Sequence, residues 1–311
     1  MQRGRVRPRD LTQRLPVEIL AIIFHYLKDS CYPNERGIGA DWVRITWICK
    51  RWREVALQTP SLWSSILISP LADPADDQAL ETQLDRARGA PLDISVCDPQ
   101  ECGEEVEDAL RLVLARSPRP PVKKLKVHSH DSLPAVAEFV MAVAASVVFL
   151  SIDSMHAWRD GRESWLFTPD AFLRLRRLSL SRITPTATAG APLLSLTRLD
   201  LAHAYDEDAV PPGLAVHRFL SACPNLEELN MENCFMYDTK DMIEDHASRP
   251  RNVLPVVTLP RLRSLTLDQV ACDIATALGT LRLPALSSFH VDADCSNGST
   301  SATFPIVPQN I

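Results

Sequence analysis

One short pattern keeps returning along the C-terminal three-fifths of the chain. An aliphatic residue is followed by two variable residues, a second aliphatic, one variable residue and a third aliphatic. It reads Val122-Leu125-Val127, Val147-Leu150-Ile152, Leu175-Leu178-Leu180 and Leu196-Leu199-Leu201. It continues as Leu226-Leu229-Met231, Leu262-Leu265-Leu267 and Leu286-Phe289-Val291, with Leu92-Ile94-Val96 as an earlier, degenerate copy. Alternation within each copy is the signature of a strand with one buried face. No such unit can bury its apolar side alone, so seven or eight of them must stack. That requirement excludes most other architectures.

The copies start 25, 28, 21, 30, 36 and 24 residues apart. The shorter gaps match the period of leucine-rich repeats, and the longer ones imply loops inserted on one rim. Asn is largely missing from the ninth repeat position, so the array is an irregular one. Helical returns are expected at Pro134–Ser146, Leu214–Ala222 and Asp273–Gly279. The fold class is therefore α/β, with a solenoid over 69–294 whose parallel sheet lines the concave face. A Ser-, Thr-, Asn- and Pro-rich tail over 295–311 reads as disordered, with no capping unit.

Side chains between the inward aliphatics must point out of the sheet. The candidates for binding a client there are Lys124, Lys126, Arg177, Arg198, Asp200, Glu228, Asn230, Glu232, Asp268, His290 and Asp292. Early strands lean basic and late strands acidic, which suits recognition by charge complementarity. Ordinary solvated sheet surface is the other reading.

Residues 133–152 are apolar enough to need a membrane check. The period changes midway, however. Val136, Phe139, Val140 and Val143 make a helical stripe, whereas Val147, Leu150 and Ile152 alternate as a strand. A helix joined to a strand is a folded-core pattern. Upstream, the stretch from Asp73 to Asp108 is acidic, with a solvated helix expected over Asp76 to Arg88. Val106, Leu110, Val113 and Leu114 mark another helix.

The N-terminal region has a different texture. Residues 1–10 form a basic tail, expected to be frayed. In the run LPVEILAIIFHYL, Pro16 suits the first helical position and Glu18 the first turn. Leu20, Ile23, Phe24 and Leu27 form one apolar stripe; Ile19, Ile22 and Tyr26 form a second. A helix apolar on both sides has to be covered on both, and its own small domain covers only one. A second helix is expected from Asp41 to about Leu57, with Trp42, Ile45, Cys49, Trp52 and Ala56 inward and Trp47 off the stripe. Pro60 stops it.

The order L-P-x-E-I-L, I-F, C-K-x-W-R, T-P-x-L-W over residues 11–68 resembles the F-box, in the F-box-like form common in mushroom-forming fungi. The resemblance implies a three-helix domain docking on the Skp-type adaptor of a Skp–cullin–F-box ubiquitin ligase. By matched position, Leu15, Pro16, Ile19, Leu20, Ile23 and Phe24 would form the first contact patch. Trp42, Val43, Ile48, Cys49 and Trp52 would supply core and a second patch. The polar stretch from Asp29 to Ala40 departs from the family pattern and reads as an inserted loop.

A formal net charge of -6 argues against general nucleic-acid binding. Gly is scarce, no Gly-Lys pair occurs, and Gly37-x-Gly39 leads to Trp42, so phosphate-loop and dinucleotide motifs fail. H-E-x-x-H and G-x-S-x-G are absent. His128 and His130 are at most half a zinc site. Eight cysteines without C-x-x-C, and no signal-peptide pattern, fit reduced thiols in cytosol or nucleus. The expectation is a substrate receptor with no catalytic residue, cofactor or metal, no nucleic-acid partner and no membrane partner. A scaffold without ligase association, or an enzyme with an unrecognised site in the groove, are the alternatives.

Overall fold

The computed structural model describes residues 14–30, 41–69, 76–98, 103–129, 134–154, 165–187, 191–204, 214–234, 255–270, 278–295 and 298–305. The basic tail, His130, most of the stretch from Asp29 to Ala40 and most of the expected return at 273–279 lie outside these residues.

The N-terminal part is helical: α1 (Val17–Ser30), a 3-10 turn (Asp41–Arg44), α2 (Ile45–Ile48), α3 (Lys50–Leu57) and α4 (Pro60–Trp63). The single helix expected from 41 to 57 is thus broken. Cys49 is extended (φ -157, ψ 167), and its Sγ accepts the Trp52 N–H at 3.5 Å as an N-cap. The break lets α3 turn Trp52 onto Phe24, ring centroids 5.1 Å apart, while Trp47 and Ile48 of α2 face solvent. Tertiary packing overrides local helix propensity here.

The remainder alternates strands with a few helices. In chain order these are β1 (Ser65–Ile68), α5 (Asp76–Ala87), β2 (Leu92–Asp98), α6 (Gly103–Ala115), β3 (Val122–Ser129), α7 (Pro134–Val143) and β4 (Phe149–Ser154). Then come β5 (Trp165–Phe167), β6 (Arg177–Ser181), β7 (Pro185–Ala187), β8 (Arg198–Ala202), α8 (Leu214–Ser221) and β9 (Glu228–Glu232). The last are β10 (Val257–Thr258), β11 (Ser264–Val270), β12 (Leu281–Arg282), β13 (Ser288–Cys295) and β14 (Gly298–Pro305).

Among the described residues, ten strands form one sheet in the order β1-β2-β3-β4-β6-β8-β9-β11-β13-β14. The first nine are parallel, in the order of the sequence. Every repeat copy that the sequence shows supplies one of them. β1 was not expected, and neither were the two-stranded pairs β5-β7 and β10-β12. The stretch from 295, expected to be disordered, instead supplies β14, which pairs antiparallel with β13 over Ser288–Cys295. That pairing satisfies the N–H and C=O groups on the outer side of β13 and makes the antiparallel β14 the edge strand of the sheet.

The registers stack the aliphatics in two inward rows. One runs Ile66-Ile94-Leu125-Leu150-Leu178-Leu199-Leu229-Leu265-Phe289 across nine strands. All of its members but Phe289 are buried, and Phe289 packs half-buried against them. The helices close the other side, with Val106, Leu110 and Val113 of α6 and Val136, Phe139, Val140 and Val143 of α7 buried as the stripes predict. No helix is long and apolar enough to cross a membrane among the described residues.

A shared turn leads into five of the strands of the sheet. The N–H groups of Leu175, Leu196, Leu226, Leu262 and Leu286 each donate to the carbonyl three residues earlier, at 3.3 Å. Pro224, Pro260 and Pro284 sit just after the acceptor, where a fixed φ suits position i+1 of the turn. A shared corner also closes three strands. Arg182, His203 and Asn233 have φ of 59, 52 and 48, and each follows its strand by one residue. Their N–H groups donate to the Ala202, Glu232 and Asp268 carbonyls of the next strand, at 2.8, 2.7 and 2.9 Å. Left-handed backbone costs a non-glycine residue about 1–2 kcal/mol, so a bond to the next unit at each corner is a fitting compensation.

Candidate interaction surfaces

Two surfaces stand out, one on the helices and one on the sheet. On α1 the two stripes separate. Leu20 and Phe24 have no exposed surface and are core residues, so they support the helix from inside rather than offer a free face. Leu15, Ile23, Val43 and Trp52 pack half-buried against that core, and Cys49 is also half-buried. Pro16, Ile19 and Ile48 are exposed. So are Val17, Ile22, Tyr26, Leu27 and Trp47, none of which the matched positions single out. Tyr26 is 74% exposed, Trp47 72% and Ile48 62%. Large apolar side chains exposed in this number on a small helical unit have the physical character of a docking surface. The signal that finds it is the second stripe of α1 and the off-stripe position of Trp47.

The helical unit is not a loosely tethered module. Trp63 of α4 donates its indole N–H to the Ala56 carbonyl at 2.9 Å and meets Trp42 edge-on, centroids 4.9 Å apart. Gln83 of α5 donates to the Trp63 and Ser65 carbonyls at 3.3 and 2.6 Å, across the α4–β1 junction. Asp93 N–H donates to the Ser64 carbonyl at 2.9 Å. The core residues of the helices and the sheet form one continuous cluster.

The outer sheet face presents three registered rows. The first contains Asp93, Lys124, Phe149, Arg177, Arg198, Glu228, Ser264 and Ser288. The second contains Lys126, Ser151, Ser179, Asp200, Asn230, Thr266 and His290; the third contains Cys97, His128, Asp153, Ser181, Ala202, Glu232, Asp268 and Asp292. All eleven client-binding candidates therefore lie on one face.

Many of these charges are paired across strands. Lys124 meets Asp93 at 2.8 Å. Arg198 bonds Asp200 at 3.0 Å and Glu228 at 2.8 Å, and Asn230 also donates to Asp200. The Asp200 hydrogen bond is the largest reason the Arg198 pKa is raised. His203 lies 3.6 Å from Glu232. An open depression of about 390 Å³ lies over β6, β8, β9 and β11, lined in part by Ser179, Asp200, Asn230, Glu232, Thr266 and Asp268. Its lining is polar and carries three carboxylates. No group of three or more His, Cys, Asp or Glu residues placed to hold a metal ion occurs among the described residues.

Burial accounts for two of the thiols. Cys223 and Cys234 are fully buried, which pushes both up to about 12 and leaves them inert.

Residues 12–69 match the family model of the F-box-like domain. No curated protein matches the chain. The matched region spans α1 to α4 and ends with β1, so the last residues of the domain are also the first strand of the sheet. The N-terminal unit of this chain is an F-box-like domain, built directly into the edge of a parallel sheet.

Proposed function

We propose that the chain is a substrate-recognition subunit of a Skp–cullin–F-box type ubiquitin ligase. The F-box-like helices dock on the Skp-type adaptor, and the sheet region, read as an irregular leucine-rich-repeat solenoid, holds a client protein on its outer face. The observation that carries this reading is the exposed apolar face of Ile19, Ile22, Tyr26, Trp47 and Ile48, placed within a region that matches an F-box-like domain.

Function here is a matter of proximity. A client held on the outer face sits at a high effective concentration near the ubiquitin-charged enzyme that the cullin brings. The continuous core between helices and sheet favours this, because a stiff connection fixes the distance from adaptor to client. The transfer itself belongs to other subunits, and none of the residues here need react in it. The setting is cytosolic or nuclear, consistent with the thiols of Cys49, Cys223 and Cys234.

Co-expression of the full chain with a Skp-type adaptor tests the reading. A one-to-one complex by size exclusion, lost in Ile22→Asp/Trp47→Asp while the fold is kept, is the expected result. A folded full chain that forms no complex would overturn it and leave a scaffold without ligase association.

A further inference from the structure

Most charges in the three outer rows of the sheet meet a neighbour. Lys124 is held by Asp93, and Asp200 and Glu228 by Arg198. Glu232 lies beside His203, and Asp153 beside His128 and Arg182. Asp268 and Asp292 are engaged as well. Among the described residues, Lys126 and Arg177 are the two charged side chains of these rows without a partner. Both are exposed. The unpartnered charge of the face is therefore positive, and it sits on β3 and β6.

β4 runs between those two strands and places Phe149 on the same face, in register with Lys124 on one side and Arg177 on the other. Phe149 is half-buried, although it points away from the core that its neighbours Leu150 and Ile152 enter. Ser151 and Ser179 lie beside it in the second row, in register with Lys126. Each hydroxyl can donate a hydrogen bond. Lys126, Phe149, Ser151, Arg177 and Ser179 thus combine an aromatic anchor, two hydroxyls and two unpartnered cations, with no carboxylate among them. An aromatic ring flanked by cations has the make-up of a binding hot spot.

We propose that this patch is where the client is held, and that the segment it takes is an extended acidic peptide. An apolar residue of the peptide sits on Phe149, and carboxylates on either side reach Lys126 and Arg177. The inference rests on the reading of the outer face as the client surface.

Spacing sets the form of the peptide. Neighbouring strands lie about 4.8 Å apart, and successive outward residues lie about 7 Å apart along a strand. Lys126 and Arg177 are two strands and one row apart, which separates their Cα atoms by about 12 Å. An extended chain advances about 3.3 Å per residue, so carboxylates three or four residues apart span the pair. The same separation disfavours a single phosphate, whose recognition gathers cations around one group. It disfavours RNA too, because a nucleotide strand is held by a continuous track of cations, and this chain has a net charge of -6.

The test is selection of phage-displayed random dodecapeptides on the immobilised full chain, followed by fluorescence anisotropy of the most enriched peptide. Enriched sequences should carry Asp or Glu three or four residues apart, with an aliphatic or aromatic residue between them. Lys126→Glu/Arg177→Glu should weaken that peptide by about tenfold or more and reduce the salt dependence of binding. Phe149→Ala should weaken it with the salt dependence unchanged, because no charge is lost. Arg111→Glu, on α6 across the sheet, should leave binding as it is. Because Lys126 and Arg177 are exposed, the double variant should keep the wild-type urea midpoint.

Selection of basic or uncharged peptides, or of none, would overturn the proposal, as would acidic peptides that bind the double variant equally well. Tighter binding of oligouridylate, or of a singly phosphorylated peptide without acidic residues, would overturn it too. The adaptor complex is scored separately by size exclusion. A chain that forms the complex but selects no acidic peptide loses this proposal alone. A chain that selects acidic peptides without forming the complex loses the ligase reading alone.

Discussion

The Arg86 guanidinium lies over the Trp63 ring, 4.4 Å from its centroid. Arg86 belongs to the first helix after β1, and Trp63 ends the last helix before it, so the contact ties the F-box-like helices to the sheet. Trp63→Phe removes the indole donor to Ala56 and part of the face that Arg86 covers. A loss of about 0.5–1.5 kcal/mol is expected from the lost hydrogen bond, because the Ala56 carbonyl still accepts the Thr59 N–H at 3.3 Å. Because the core is continuous, helices and sheet should still unfold in a single transition, read by tryptophan fluorescence and far-UV circular dichroism together. Separate transitions would show two independently stable units.

The division of α1 into a buried and a free stripe predicts a sharp contrast two residues apart. Phe24→Ala empties a fully buried site against Trp52 and should cost about 3–5 kcal/mol. Tyr26→Ala alters an exposed residue and should stay within about 0.5 kcal/mol. Urea unfolding of the two variants separates the outcomes. Comparable losses would mean that Tyr26 is covered in solution by the chain itself.

How much of this was legible depends on what kind of regularity a residue belongs to. The inward rows were readable because each copy repeats its own alternation, and a parallel stack preserves the offset from copy to copy. β1 follows the same offset as Trp63-Ile66-Ile68, but a tryptophan in the leading position hid it. The break at Cys49 has no Gly or Pro to announce it, since it is set by where Trp52 must pack. β14 was hidden by composition: a Ser- and Thr-rich stretch reads as disorder until a strand edge is there to pair with it.

The candidate surfaces were legible to different degrees for the same reason. The outer rows follow from strand alternation, so every charged residue assigned to that face lies on it. The partners of those charges do not follow, because His128 and Asp153 are 25 residues apart and meet only through register. The resemblance placed Leu20 and Phe24 on a contact patch, whereas the amphipathic argument alone assigns the free face to Ile19, Ile22 and Tyr26.

The turn repeated before β6, β8, β9, β11 and β13 predicts a graded pair. Leu262 is fully buried and closes its turn with a bond to the Leu259 carbonyl. Leu262→Ala should cost about 2–5 kcal/mol. Pro260, exposed at the turn's second position, acts mainly by restricting the unfolded chain. Pro260→Ala should therefore cost about 0.4–1 kcal/mol, visible as a lower urea midpoint with an unchanged slope. A Pro260→Ala loss as large as that of Leu262→Ala would mean that the turn itself is rearranged.

Lys28 gives the chain a pH signature. Its Nζ donates to the Leu62 carbonyl at 2.7 Å and lies 5.7 Å from the Trp42 ring centroid. Burial is the largest influence and lowers its pKa from 10.5 to about 8; Asp29 and Asp93 oppose the shift, and Lys124 adds to it. Below about 8 both folded and unfolded chains hold the proton, and the cost of burying the charge is fully present. Between about 8 and 10.5 the unfolded chain binds more protons than the folded one, so stability rises with pH across that window. Lys28→Met has no such titration. Urea unfolding of both proteins at intervals from about pH 7 to 10 should show the wild type gaining on the variant, with most of the gain above 8. Parallel profiles would mean that Lys28 keeps an ordinary amine's hydration in the folded chain. The amine retains some contact with solvent, so the direction and the window are the readout rather than the size.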